Sequence, residues 1–373
     1  MSGDAVIIAA EAVRVRVPFR RPIRTAAGEW THRESWILRL RDTGGAVGLG
    51  EAALDFDRGE DPNAAELSRL FRVMVERVSA GESLPTTAEL EASGVPGRAL
   101  RSALDSAMLD LGLGASAPGA VSRSVPVNAT IGFLELSETA AAARNAAAGG
   151  FGTIKLKVGP ERHTAELVER VAAARAAAGP NMLLRLDANG AWDAATARVR
   201  IAAVAPYRIE YVEQPIAAGD AHSLAEVRVA SPIPIAADES VSSAGAARYL
   251  LAARAVDVLV VKPARIGGPV PTWEIAAMAA AAGVHVVIST LFETGVGLAA
   301  ALATAASLPV VAGATHDYAH GLATADLLES DLLTHPLSVV DGRMQVPDGP
   351  GLCISLDDAA LERYAVEWLG RRP

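Results

Sequence analysis

Residues 152–189 read GTIKLKVGPERHTAELVERVAAARAAAGPNMLLRLDAN. A short apolar run with β-branched residues opens the stretch, an alanine-rich helical segment follows, and a second apolar run, LLRLDAN, closes it. That is one β–α–β unit. The same texture recurs from about residue 123 onward, with strand-like runs VPVNATI, GTIKLKV, LLRLDAN, IEYVEQP, IPIAADES, DVLVVKP, HVVISTLFE and LPVVAGAT, most of them separated by helical stretches. Eight such runs over about 200 residues predict an α/β fold, a modified (β/α)8 TIM barrel. A doubly wound open sheet is the rival, but no G-x-G-x-x-G follows the first run.

The flanks have a different character. Residues 1–122 read as an α+β capping domain, with strand patterns at AVRVRV, SWILRLRD and AVGLGEA, and helical patterns at about 64–80 and 97–114. Between the first two strands, FRRPIRTAAGEW carries Pro22, Gly28 and three arginines and reads as a mobile loop. The barrel is expected over 123–325, and the segment 326–373 is expected to return to the capping domain.

Composition narrows the function. The chain has 373 residues, a net charge of −9 and one cysteine, Cys353. An acidic balance argues against nucleic-acid binding. No uncharged apolar run approaches the roughly 20 residues that span a bilayer, and the N-terminus has no basic leader ahead of its apolar stretch. A lone cysteine suits a reducing compartment, so a cytoplasmic location is expected.

Within the β–α–β unit, IKLK places Lys155 and Lys157 on one strand face, with Ile154, Leu156 and Val158 on the other. Only one further lysine, Lys262, exists in the chain, against 31 arginines. Arginine stays protonated, whereas lysine can give up its proton. A chain that uses arginine elsewhere is expected to keep lysine where that proton matters. Two ammonium groups this close should lower each other's pKa, toward the range where an amine works as a base.

Charged residues fall near the ends of the strand-like runs: Lys157, Asp187, Glu213, Asp238, Lys262 and Glu293, at intervals of 30, 26, 25, 24 and 31 residues. Each interval is one βα unit, and barrel active sites are built at strand C-termini. Asp187, Glu213 and Asp238 would end three neighbouring strands. Three converging carboxylates repel unless a cation joins them, and all-oxygen ligands suit Mg²⁺, with Mn²⁺ the alternative. Lys262, on the sixth strand, would face Lys157, on the second, across the ring. Amines on opposite sides of a bound small carboxylate fit removal of its α-proton, the metal stabilising the enediolate.

The motifs KLK at 155–157, DANGAW from 187, EQP from 213, DES from 238 and KPARIGG from 262 resemble the enolase superfamily, in its muconate lactonizing enzyme subgroup. The resemblance implies that Asp187, Glu213 and Asp238 bind Mg²⁺, that Lys157 and Lys262 are acid/base groups, and that Lys155 stabilises charge. It also implies secondary or substrate-binding roles for Asn189, Glu239, Glu293, Ser289 and Thr290, and a lid around Arg24 and Gly28. A homo-oligomer is expected.

The reaction stays open at this level, because one lysine pair supports dehydration, racemisation and cycloisomerisation. HGLATADLLESDLL from His320 resembles the post-barrel segment of o-succinylbenzoate synthases, which is the first expectation. TLFETGVG resembles racemase and cycloisomerase relatives instead, and ATHDYAHG lacks the D-x-D pattern of dipeptide epimerases. A metal-binding scaffold without activity is the non-enzymatic alternative. His316 and His320 are spaced four apart without a zincin glutamate, so zinc is not expected; whether they or Asp317 line the pocket is open.

Overall fold

The computed structural model describes residues 6–25, 28–55, 62–114, 121–314 and 316–370. Among the described residues, fourteen strands form three sheets. The first is antiparallel: β1 (Ile7–Thr25), β2 (Gly28–Asp42), β3 (Val47–Ala53) and β14 (Ala365–Leu369), in the order β14-β1-β2-β3. The C-terminal segment therefore pairs directly with the first strand of the chain. Helices Pro62–Ser79 and Gly94–Asp110 follow this sheet in sequence, close to the predicted helical spans. The second helix lies directly on β3, where Gly50 allows the approach: a Cβ there would fall 1.9 Å from the Ala103 carbonyl oxygen.

The second sheet is parallel and seven-stranded. It runs β5 (Ala129–Ile131), β6 (Thr153–Lys157), β7 (Leu183–Asp187), β8 (Ile209–Glu213), β9 (Ile235–Ala237), β10 (Val258–Val261) and β11 (His285–Ile288), each beside the next. Alternation on β6 is as expected: Ile154, Leu156 and Val158 are buried in the cluster beneath the surrounding helices, and the lysines take the other face. A small third sheet joins β4 (Ser124–Pro126) to β12 (Val339–Val340) and β13 (Arg343–Gln345).

Two expectations are corrected. The described part of LPVVAGAT, residues 308–314, forms no strand, and Val310 within it is 90% exposed. The ring closes instead through His320 and Gly321, which bridge in parallel to Val127 and Ser289 respectively. Gly321 N donates to Ile288 O at 2.8 Å, and Asn128 N to His320 O at 2.9 Å. The buried His320 ring completes the seam, Nδ1 accepting from Ile288 N at 3.0 Å. Burial, with Arg185 nearby, pushes its pKa down to about 3, so the ring is neutral.

The second correction concerns FRRPIRTAAGEW. Its described residues are paired strand, with Ile23 opposite Trp30, Arg24 opposite Glu29 and Thr25 opposite Gly28. An irregularity between Pro18 and Ile23 absorbs Pro22, and half-buried Ile23 and Trp30 pack on the cluster that contains Phe19. Residues 26 and 27 and the Arg24 side chain lie outside the described residues. Gly28 opens β2 at φ +149°. Among the described residues, no helix is long and apolar enough to cross a membrane.

Candidate active site

Lys157, Asp187 and Glu213 are the last residues of β6, β7 and β8; Asp238 and Lys262 directly follow β9 and β10. The alternation that turns apolar side chains toward the helices turns these five to the inside, at one end of the ring. Asp187 and Glu213 are wholly buried and Asp238 almost so. All three lysines of the chain meet these acids.

Lys157 Nζ donates to Asp187 Oδ2 at 2.6 Å and to Asn189 Oδ1 at 2.9 Å. Lys155 Nζ lies 3.1 Å from Glu213 Oε1 and 3.2 Å from Asp187 Oδ2. Lys262 Nζ bonds both oxygens of Asp238, and Arg265 Nη1 reaches Asp238 Oδ1 at 2.8 Å. Asn189 has a left-handed backbone, φ +45°, accessible to asparagine. This turn lets its amide N donate to Asp187 Oδ1 at 3.1 Å, while its side chain donates to Glu239 Oε1 at 2.8 Å. Asn189 thus links Lys157 to Glu239.

Burial opposes every charge here, and the neighbours decide the outcome. For Asp187, burial is outweighed by Lys157 and then Lys155, leaving its pKa at about 2. Asp238 is held well below the carboxylate range because Lys262 and Arg265 overcome its burial. Glu213 moves the other way: burial and repulsion from Asp187 outweigh Lys155, and it ionises last, at about 7. Lys155 is raised above the ordinary lysine value, since Glu213 and Asp187 overcome its burial. The expected mutual lowering of the two β6 lysines does not hold for Lys155, because attraction to Glu213 and Asp187 dominates its surroundings.

The remaining expected residues divide. Glu239 borders the site along a cleft of about 370 Å³ that includes Ser240, Ser242 and Tyr249. Glu293 does not end β11; it lies five residues beyond Ile288, buried, and accepts from Leu291 N. Burial and Glu51 push its pKa up to about 7 despite Arg33. Ser289 belongs to the seam with Gly321, and the Thr290 hydroxyl lies 3.3 Å from that of Thr324. Among the described residues neither hydrogen-bonds a lysine. His316 bonds Glu210 near the start of β8 and packs its ring, tilted, against Tyr318, as does His285 at the start of β11, so His316 sits at the opposite end of the ring. Asp317 is exposed.

Sequence reading missed three groups. Arg265, inside KPARIGG, ties Asp238 to Asp55, with Arg265 Nη2 at 2.7 Å from Asp55 Oδ1. Glu51, on β3, accepts from Ser35 Oγ, Thr294 N, Thr294 Oγ1 and Gly297 N at 2.7–3.0 Å, capping helix Gly295–Ala306 from the first sheet. Gln214 accepts from Asp238 N and Ser240 N, both at 3.1 Å.

The donor chemistry suits a hard divalent cation: the acids are all oxygen ligands, and among the described residues Glu239 Oε2 is a buried oxygen without a hydrogen-bond partner. As they stand the acids are engaged by ammonium groups, and among the described residues no three acidic, histidine or cysteine side chains share one coordination sphere.

A family model described as Enolase C-terminal domain-like matches residues 138–360. An o-succinylbenzoate synthase of Thermobifida fusca is 43% identical over 269 residues, covering 69% of this chain and 80% of the relative. An N-succinylamino acid racemase of Amycolatopsis sp is 29% identical, covering 96% and 98%. The solved muconate lactonizing enzyme of Pseudomonas fluorescens, complexed with muconolactone, superposes with a TM-score of 0.83 at 26% identity, covering 97% of this chain and 100% of that one.

Proposed function

The chain belongs to the enolase superfamily, and from that premise we propose that it removes the proton alpha to a substrate carboxylate, as an o-succinylbenzoate synthase. One observation carries the chemistry: the only three lysines of the chain are all ion-paired to three buried acids at successive strand ends. The reaction is favoured by the synthase name of the 43% identical relative.

A divalent ion is general to the superfamily; Mg²⁺, or Mn²⁺, is proposed on Asp187, Glu213 and Asp238, where it supplies positive charge against the negative charge that builds on the substrate carboxylate. The protein's own groups do the proton work. Lys157 Nζ takes the α-proton and returns it to the departing hydroxyl, so that C–H and C–O bonds break, a C=C bond forms and water leaves. Lys155, held protonated by Glu213 and Asp187, remains a fixed cation. Lys262 follows β10, which three strands separate from β6, and balances charge from the other wall. The product would be an aromatic precursor of menaquinone, formed in the cytoplasm.

A second reading, N-succinylamino acid racemase, has specific support in the pairing of each flanking lysine with its own acid, Lys157 with Asp187 and Lys262 with Asp238. Two separately held amines can add a proton to either face. The deciding experiment assays the purified protein with Mg²⁺ for dehydration of the hydroxylated cyclohexadiene carboxylate and for racemisation of N-succinyl amino acids. Dehydration with the higher kcat/KM supports the synthase. Racemisation without dehydration would overturn it.

A further inference from the structure

Lys157 is the last residue of β6, and the neighbouring β5 has already ended at Ile131. The Lys157 carbonyl is gripped by Arg170, from helix Thr164–Ala178. Arg170 Nη1 and Nη2 both donate to Lys157 O at 3.2 Å. The same guanidinium donates to Glu161 Oε1 at 2.6 Å and to Gly132 O, beyond β5, at 3.4 Å. Glu161 in turn accepts from Gly159 N at 2.6 Å. A second arginine, Arg200, closes the loop from behind, with Nη2 donating to Glu161 O at 2.6 Å.

These three side chains are nearly buried, Arg170 at 6%, Glu161 at 5% and Arg200 at 5% exposure. Burying two cations and one anion is costly unless each is multiply bonded, and here each is. The backbone they grip is equally constrained. Gly159 has φ +127°, and a Cβ there would fall 2.8 Å from Ala191 Cβ, so this loop has room for no other residue. Val158 N still donates to Asp187 O at 2.8 Å, which keeps β6 and β7 in register past the lysine.

We propose that Arg170, braced by Glu161, is a positioning residue for Lys157: it fixes the Lys157 carbonyl and so aims the side chain on the opposite side of the same Cα. Among the described residues it hydrogen-bonds none of Asp187, Glu213 or Asp238; its partners are Lys157 O, Glu161 and Gly132 O. The inference rests on Lys157 being the base, but the geometry can be tested without turnover. An arginine suits the task because its planar fork bonds a carbonyl and a carboxylate together; a lysine there would supply a single ammonium.

The three-lysine composition makes the test direct. Protein labelled at lysine Cε gives three resonances, assigned through Lys155→Arg, Lys157→Arg and Lys262→Arg. Arg170→Met should shift the Lys157 resonance most and leave that of Lys262 in place, with kcat falling about 100-fold, the scale of a misplaced reacting group, and KM little changed. Glu161→Gln, which keeps an acceptor for Gly159 N but loses the charge, carries the same comparison with a smaller effect if Arg170→Met does not fold. Equal displacement of Lys157 and Lys262, or displacement of neither, would overturn the inference. Wild-type protein that turns over neither class of substrate would instead remove the proposed function while the resonances still report the geometry.

Discussion

Lys157 Nζ and Asp187 Oδ2 are 2.6 Å apart, joined across neighbouring strand ends, with Asp187 wholly buried beneath the pair. The ammonium is held where a proton acceptor is wanted, and its partner cannot be satisfied by water. Lys157→Arg keeps the charge and the ion pair but removes the ability to give up a proton. Turnover should fall by at least about 100-fold, while Mg²⁺ affinity by calorimetry changes little. Retained turnover in that variant would take the base role from Lys157.

Three buried carboxylates facing one another should gain from an added cation. Mg²⁺ at 100 times its Kd should stabilise the fold by about 2.7 kcal/mol if it binds only the folded state, and chelation should remove both that gain and activity. Asp187→Asn, Glu213→Gln or Asp238→Asn should each shrink the Mg²⁺-dependent rise in Tm. An unchanged rise in all three would place the ion elsewhere.

The seam of the ring predicts acid sensitivity. His320 has a pKa of about 3 in the fold and an ordinary value near 6.5 when unfolded. As pH falls below about 6.5 the unfolded chain takes up a proton that the folded chain refuses until about pH 3, so stability is lost across that window and unaffected above it. The full loss is on the order of 5 kcal/mol. His320→Asn, which keeps an acceptor for Ile288 N, should flatten Tm against pH between those limits. A wild-type profile already flat there would contradict the buried neutral ring.

Glu51 joins the first sheet to the barrel by capping helix Gly295–Ala306. Glu51→Ala leaves Ser35, Thr294 and Gly297 donors without an acceptor in a buried site. The expected loss is about 3 kcal/mol or more in denaturant unfolding, combining a missing cap with unsatisfied donors. A loss below about 1 kcal/mol would show that solvent reaches those donors.

How much of this was legible in the sequence depends on the residue. The alternation of IKLK and the βα spacing of the charged residues pointed to the inside of one ring end, because period-two patterning and barrel topology are local properties. Closure through His320 and Gly321 was not legible: the seam is made by backbone amides and a neutral imidazole, and neither leaves an apolar pattern. LPVV supplied that pattern falsely, with Val310 exposed. HVVISTLFE read as one strand, yet β11 stops at Ile288 and Glu293 turns back on Leu291 N. In FRRPIRTAAGEW, Pro22 and Gly28 suggested a loop; the irregularity that accommodates Pro22 depends on pairing with β2. Arg170, Arg265 and Glu51 act through partners brought near only by the fold. One signal was available for Arg185: it alternates with Asp187 on β7 as Lys155 does with Lys157 on β6, and it is wholly buried.

The account turns on proton removal from carbon beside a carboxylate. The most direct measurement follows that proton by NMR in D2O, for the hydroxylated cyclohexadiene carboxylate and for both enantiomers of N-succinyl amino acids, with wild-type and Lys157→Arg protein, with and without Mg²⁺. The predicted result is loss of the α-proton from at least one of these substrates, only with wild-type protein and only with the metal. An α-proton retained in every substrate, or lost equally without Lys157, would contradict it.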